Sequence, residues 1–201
     1  ELTNKVYKAK KNILEQLKNI GYKIDDYINF SLNDIATLVE NENPDMLLEN
    51  KDSKVYVKFY IFKNNLRLNI INDMISDLYI LEEILTDNDT LIIITKDMPN
   101  LSIKEIQSEL FVNDNKFINI RGIDSLQFNI LEHNLVPEHI KLNDEEVSLF
   151  KKEFSINNNE QLPTISRFDP PIMAINVKPG DIVKINRSCK TSIKSVYYRL
   201  C

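Results

Sequence analysis

Leu91-Ile92-Ile93-Ile94-Thr95 is the stretch that decides the fold of the first two thirds of the chain. It is short, β-branched and apolar without alternation, the pattern of a strand buried on both faces. Such a strand needs helices above and below it, and the flanking sequence offers them. Upstream, Val6, Ala9, Ile13, Leu17 and Ile20 recur at spacings of three and four. They predict an amphipathic helix with lysines on its other face, stopped at Gly21, where a left-handed residue is tolerated. Ser31 is placed to cap a second helix, with Asp34 three residues on and Leu32, Ile35, Leu38 and Val39 forming its face. The polar run Glu40–Ser53 reads as loop. Val55, Val57, Phe59 and Ile61 alternate as in a strand, and Asn64-Asn65 predicts a hairpin turn into a second strand at Leu66–Ile70. Asn72 or Asp73 is expected to cap a helix over Met74–Leu85. A further helix is expected over Leu101–Leu110, and strands over Phe117–Arg121 and Leu126–Ile130. Strands alternating with helices predict a small mixed α/β domain.

The character changes near His133. Five of the seven prolines follow, at 137, 163, 170, 171 and 179. Leu142–Phe154 predicts a helix opened by Asn143 with Glu146 three residues later. Asp169-Pro170 predicts another, with Asp as cap and Pro at the first helical position. Pro179-Gly180-Asp181 reads as a turn, and Asp181–Arg187 with Ile193–Leu200 as paired strands. The domain boundary is placed at about residue 132, giving domains 1–132 and 133–201.

Composition narrows the chemistry. The 201 residues are 43% hydrophobic and 27% charged, an ordinary globular balance. The apolar run Leu91–Ile94 is far short of the ~20 residues of a membrane helix. The chain opens on Glu1 without a signal-peptide pattern, and a few residues including an initiator Met are expected to precede it. Net charge is -5, unevenly spread. Residues 172–201 carry six basic side chains against the single acid Asp181. An acidic front and a basic tail argue against nucleic-acid binding by the whole chain and leave room for a local basic surface.

Each enzyme reading lacks a part. Three isolated glycines cannot build a phosphate-cradling loop. His133 and His139, without a nearby Cys pair, fall short of a zinc set. Cys189 lies among Arg187, Lys190 and Lys194, which favour a thiolate, but no adjacent base completes a nucleophile. Cys189 and Cys201 form no disulfide framework. A metal-dependent nuclease would use Asp45, then an acid two residues before Lys58. That position is Tyr56. No metal and no cofactor are expected.

Three strings occur in order after His133: Leu135-Val136-Pro137-Glu138-His139; Leu162-Pro163-Thr164-Ile165 followed by Asp169-Pro170; and Gly180-Asp181-Ile182-Val183-Lys184-Ile185-Asn186-Arg187, with Tyr198-Arg199 closing the chain. This region resembles the C-terminal domain of the fifth common subunit of eukaryotic RNA polymerases, whose archaeal equivalent is a shorter protein without the N-terminal domain. Residues 1–132 resemble that family's N-terminal jaw domain more loosely, in element order and in Lys18–Ile24. The resemblance implies an α/β N-terminal jaw domain of restriction-endonuclease-like fold plus a small mixed α+β C-terminal assembly domain. It implies a non-catalytic polymerase subunit that docks on the largest subunit through the C-terminal domain, among other polymerase subunits, with the jaw near downstream DNA. Expected partner-binding residues are Pro137, His139, Pro163, Asp169, Pro170, Arg187, Tyr198 and Arg199. Ile172, Met173, Ile175 and Val177 are expected against the partner as well. Lys5, Lys8, Lys10 and Lys11 of the first helix are the DNA-proximal candidates, for non-specific contact. The expected location is the nucleus for a cellular protein, and the virion or a cytoplasmic viral factory for the version encoded by a large DNA virus. Two other readings stand beside this one: a nuclease on the N-terminal domain, and a free-standing module that recruits a transcription factor.

Overall fold

The computed structural model describes residues 1–63, 66–188 and 195–201. The chain divides into two units, Glu1–Asn129 and Ile130–Cys201. The first contains helix α1 (Leu2–Ile20), α2 (Leu32–Glu40), strands β1 (Met46–Glu49) and β2 (Lys54–Tyr60), α3 (Leu68–Ile75), β3 (Thr90–Thr95), α4 (Leu101–Asp114) and β4 (Phe117–Gly122). The strands form one sheet in the order β1-β2-β3-β4. β1 runs antiparallel to β2, and β2, β3 and β4 are mutually parallel, with Val57 opposite Ile92 and Ile93 opposite Ile120.

All six residues of β3 are buried, as the unbroken apolar run requires. Ile92 and Ile94 point into a core shared with Val6, Ala9, Ile13 and Leu17 of α1 and Ile35 of α2. Leu91 and Ile93 point into a second core with Ile71, Met74 and Ile75 of α3 and the half-buried Ile103, Ile106 and Leu110 of α4. Gly21 closes α1 at φ 100°. Ser31 and Asp34 form the expected reciprocal capping box at the start of α2.

Several expectations are overturned. The polar run Glu40–Ser53 contains β1, whose Met46 and Leu48 face the core. Leu66–Ile70 is not a strand: α3 begins at Leu68, while Asn64 and Asn65 lie outside the described residues. The reason is topological, since β2 pairs parallel with β3 and a parallel pair needs a crossover rather than a hairpin. Asn72 and Asp73 lie inside that helix rather than capping the next one. The chain from Ser76 to Leu81 is wound as a wider π-helical turn instead of a regular helix reaching Leu85. Leu126–Ile130 is not a strand either. Ile123–Leu126 and Ile130–Glu132 are short 3-10 turns. Asn12 Nδ2 donates to Leu126 O at 2.7 Å, taking a backbone acceptor that a neighbouring strand would have used.

The second unit holds β5 (Glu138–Lys141), α5 (Asp144–Glu153), α6 (Pro170–Ala174), β6 (Ile182–Arg187) and β7 (Ser195–Leu200). They give a three-stranded antiparallel sheet in the order β5-β6-β7. β5 is not visible in the sequence pattern. Asn143 and Glu146 cap α5 reciprocally, as expected. One face of the sheet packs Ile182, Tyr198 and Leu200 on Phe150 of α5 and Leu142. The other packs Val183 and Ile185 on Ile172 and Val177. Ile172 and Val177 therefore belong to this unit's own core rather than to a partner surface. Asp169 occupies the N-cap of α6, but its side chain makes no capping bond. Pro170 and Pro171 have no N–H, so the first donors of that helix are missing.

Ile93 has no exposed surface and sits between two sheet partners. Ile93→Ala should lower the stability of the first unit by about 2–5 kcal/mol, read as a lower urea midpoint.

Candidate functional site

In the second unit, the sheet register sorts the expected docking residues. Arg187 pairs with Ser195, Ile185 with Tyr197 and His139, and Val183 with Arg199 and Lys141. Arg187, Arg199, His139 and Tyr197 thus share one face, with the two arginines at opposite ends of it. Both arginines are exposed. Tyr198 is on the other face. It stacks on Phe150 with ring centroids 4.1 Å apart and lies 5.8 Å from Phe154, so the ring is used inside its own unit. The exposed aromatic next to it is Tyr197, 46% accessible, which is absent from the expected docking residues. The sequence does carry the signal: in Val196-Tyr197-Tyr198 the two tyrosines must point to opposite faces of a strand.

Pro163 is exposed, and its carbonyl accepts from Leu200 N at 3.0 Å. Ile165 N donates to Leu200 O at 2.8 Å, and Arg199 Nη1 donates to Thr164 O at 3.0 Å. The Leu162–Ile165 string is therefore laid along the end of β7. Pro137 is half-buried, and its carbonyl lies 2.6 Å from Nδ1 of His139, which orients that ring. Pro170 is exposed and Asp169 half-buried. Gly180, at φ 96°, donates to Cys201 O at 2.8 Å. Asp181 is neutralised at 2.7 Å by Lys141 and accepts from Lys178 N. The one acid of the basic tail is thereby committed to the turn. Lys190, Lys194 and Cys189 lie outside the described residues. Burial pushes the Cys201 thiol up to about 11, against the pull of Arg167, so this cysteine is held as a thiol.

In the first unit, Asp45 sits beside Lys58 and Tyr56, the positions of the nuclease reading. Its Oδ1 accepts from Phe59 N at 2.8 Å, and its Oδ2 accepts from Lys58 Nζ at 3.1 Å and from Tyr56 Oη at 3.2 Å. Burial and the neighbouring Asp45 raise the Tyr56 phenol above its ordinary pKa, which keeps it a donor. Both carboxylate oxygens are committed. Among the described residues no group of three or more His, Cys, Asp or Glu side chains is gathered to hold a metal.

The four α1 lysines expected near DNA do not form one surface. Lys8 and Lys11 are exposed, and Lys5 pairs with Asp124 at 2.9 Å. Lys10 is 3% exposed and turned inward, contrary to its expected place facing DNA. Its ammonium donates to Pro44 O at 3.3 Å and lies 4.4 Å from the centre of the Phe30 ring and 5.8 Å from that of Tyr27. Burial lowers its pKa to about 8, and Asp45 only partly offsets this. A period of 3.6 residues places Lys10 near Ile13, Leu14 and Leu17 rather than with Lys8 and Lys11, and that spacing is the warning the sequence carries.

These features define a two-unit protein whose second unit sets the exposed side chains of Arg187, Tyr197 and Arg199 around a sheet face whose centre, Val183 and Ile185, is packed on Ile172 and Val177, and whose first unit presents no assembled catalytic set among the described residues. Residues 128–201 match the family described as RNA polymerase Rpb5, C-terminal domain. DNA-directed RNA polymerase V subunit 5A of Arabidopsis thaliana is 31% identical over 207 residues, spanning 99% of this chain and 89% of that protein. Subunit Rpo5 of Methanothermobacter thermautotrophicus is 49% identical over 71 residues, 35% of this chain and 91% of its own length. Rpo5 of Archaeoglobus fulgidus is 45% identical over 75 residues, 37% of this chain and 97% of its own length. The chain belongs to the family of the fifth subunit of DNA-directed RNA polymerases, in a long form that aligns with the plant protein across both of its units.

The lysine gives a signed prediction. Its pKa is about 8 in the fold against an ordinary 10.5, so between those values the unfolded chain binds the extra proton and stability rises with pH. Lys10→Met should therefore raise the thermal midpoint at pH 7, and the gain should shrink as pH climbs from about 8 toward 10.5. Calorimetry of both proteins across that range checks it.

Proposed function

We propose that the chain works as a non-catalytic structural subunit of a multisubunit DNA-dependent RNA polymerase, assembled with other polymerase subunits and acting in the nucleus. In this reading residues 133–201 are the assembly domain and residues 1–132 the lower jaw, on a sheet scaffold of restriction-endonuclease type, near downstream DNA. The second unit docks on the largest subunit through the exposed side chains of Arg187, Tyr197 and Arg199, with the half-buried His139, around the part of that sheet face covered by Ile172 and Val177. Supporting this reading is the presence of two exposed arginines and an exposed tyrosine on one side of the sheet. Arg is suited to forked contacts with carboxylates and carbonyls, and Tyr and Arg are enriched at the energetic centres of interfaces. The single observation that carries the docking face is the register that brings these side chains onto one side, while Tyr198 is stacked within.

Of the four expected lysines, DNA contact from α1 is reduced to Lys8 and Lys11, since Asp124 competes with phosphate for Lys5. It would be non-specific and weakened by salt.

The test is incorporation. Arg187→Glu combined with Arg199→Glu should leave the protein folded by circular dichroism, yet cut co-purification with the largest subunit at least tenfold. Arg199→Gln serves as the control for the bond to Thr164. Normal assembly of the double variant would remove this face from the interface.

A further inference from the structure

A groove in the first unit lies between α1 and the turn that joins α1 to α2. It encloses about 280 Å³, and Leu14, Ile24 and Ile35 are among its apolar walls. Its outer wall is the Tyr27–Phe30 turn, where the two rings stack at 6.0 Å and Ile28 is 53% exposed. Lys10, Lys11 and Lys18 line it against the single acid Glu15.

Lys10 is the anomaly. A lysine that is this deeply buried is ordinarily paired with a carboxylate. Here Asp45, the acid whose charge acts on it, is held by Lys58, Tyr56 and Phe59 N, and among the described residues Lys10 makes no ion pair. Its ammonium has three donors, and one goes to Pro44 O. The aromatic faces of Phe30 and Tyr27 supply only the weaker cation–π attraction, about 0.5–2 kcal/mol. With a pKa of about 8 the group still carries its charge at neutral pH. An apolar cavity with an unneutralised cation in its wall is complementary to one chemistry: an apolar body ending in an anion.

We propose that this groove binds an apolar carboxylate, its ring or short chain seated against Leu14, Ile24 and Ile35 and its carboxylate on Lys10 Nζ. The volume suits one aromatic group, near the lower bound of small-ligand pockets at about 300 Å³. The same chemistry is carried by a free aromatic acid or by an aromatic residue beside an Asp in a peptide. The carboxylate displaces the Phe30 ring from the ammonium and opens the Tyr27–Phe30 turn. The cost of keeping a buried cation in the empty groove is then offset when the ligand is bound, a pattern of local instability retained at a binding site.

The experiment is an NMR titration of the full chain, with methyl and aromatic resonances of Ile24, Ile35, Tyr27 and Phe30 as reporters. The probes are 3-phenylpropanoate and its uncharged amide. The acid should bind at least tenfold more tightly than the amide, and Lys10→Met should abolish that difference. Lys8→Met, on the exposed side of the helix, should leave it intact. A second arm compares a peptide containing Asp-Phe with its Asn-Phe counterpart. Tighter binding of the peptide than of the free acid assigns the groove to a partner chain, and the reverse assigns it to a small molecule. The proposal is overturned if neither acid nor peptide shifts these resonances at millimolar concentration. Equal binding of acid and amide by the wild-type chain, or an unchanged preference in Lys10→Met, overturns it as well.

Discussion

The parallel pairing of β2, β3 and β4 is the constraint from which the rest of the first unit follows. Parallel neighbours cannot be joined by a tight turn, so each link must cross over a face of the sheet. α3 makes the crossing from β2 to β3, and α4 the one from β3 to β4. Both crossings fall on the face of Leu91 and Ile93. The opposite face, with Ile92 and Ile94, is left for α1 and α2 to cover from the N-terminal side. With a helical layer on either side, β3 is shielded completely. Its run of three isoleucines, which an antiparallel sheet with one wet face would not accept, becomes the natural choice.

This explains what can and cannot be read from the residues. Leu91–Thr95 is legible because burial on both faces writes itself as an unbroken apolar run. The caps at Ser31 and Asn143 are legible because a capping box is settled locally between side chain and backbone, independent of the rest of the fold. β1 and β5, four residues each, are hidden because strands that short have no room for a period. Their existence depends on the partner strand. Leu66–Ile70 misleads because Leu66, Leu68 and Ile70 alternate with Arg67 and Asn69 as in a strand, over a stretch too short to exclude the start of a helix, and only the sense of β2 relative to β3 decides it. The same limit governs the site. Residue type marks Arg187, Arg199 and Tyr198 as docking candidates, but the face each occupies is a property of register. Register exchanges Tyr198 for Tyr197.

Buried cations on α1 and β4 show how an acidic unit handles positive charge. Arg121 is 5% exposed, and its Nη1 donates to Gln16 Oε1 at 2.9 Å; Gln16 Nε2 in turn donates to Asn129 Oδ1 at 3.3 Å. Burial lowers the guanidinium pKa to about 10, still far above neutrality. Amide dipoles hold this charge, and aromatic faces with one carbonyl hold that of Lys10. The two sites differ in surroundings. Arg121 sits where Gln16 and Asn129 tie α1 to the last strand and to the end of the unit, so its role is that of a rivet. Lys10 is buried in the wall of the α1 groove, and in the proposed reading its charge serves recognition there.

Asp45 shows how a carboxylate on a sheet can be closed to metal chemistry. Hard divalent cations are held by oxygens with free lone pairs, usually from more than one acid. Tyr56 stands where the second acid of a nuclease set would be, and its phenol donates a hydrogen bond to the first acid instead of adding a ligand. Lys58 neutralises the same oxygen, and Phe59 N takes the other. These three donors together clamp Asp45, the residue preceding β1, to the middle of β2, a contribution to register rather than to catalysis. A substitution at Tyr56 alone would not reverse this, because Lys58 and the backbone donor would still compete for Asp45. The geometry thus favours reading the first unit as a surface-presenting body, whose function lies in what its helices and turns expose and not in a reaction at the sheet.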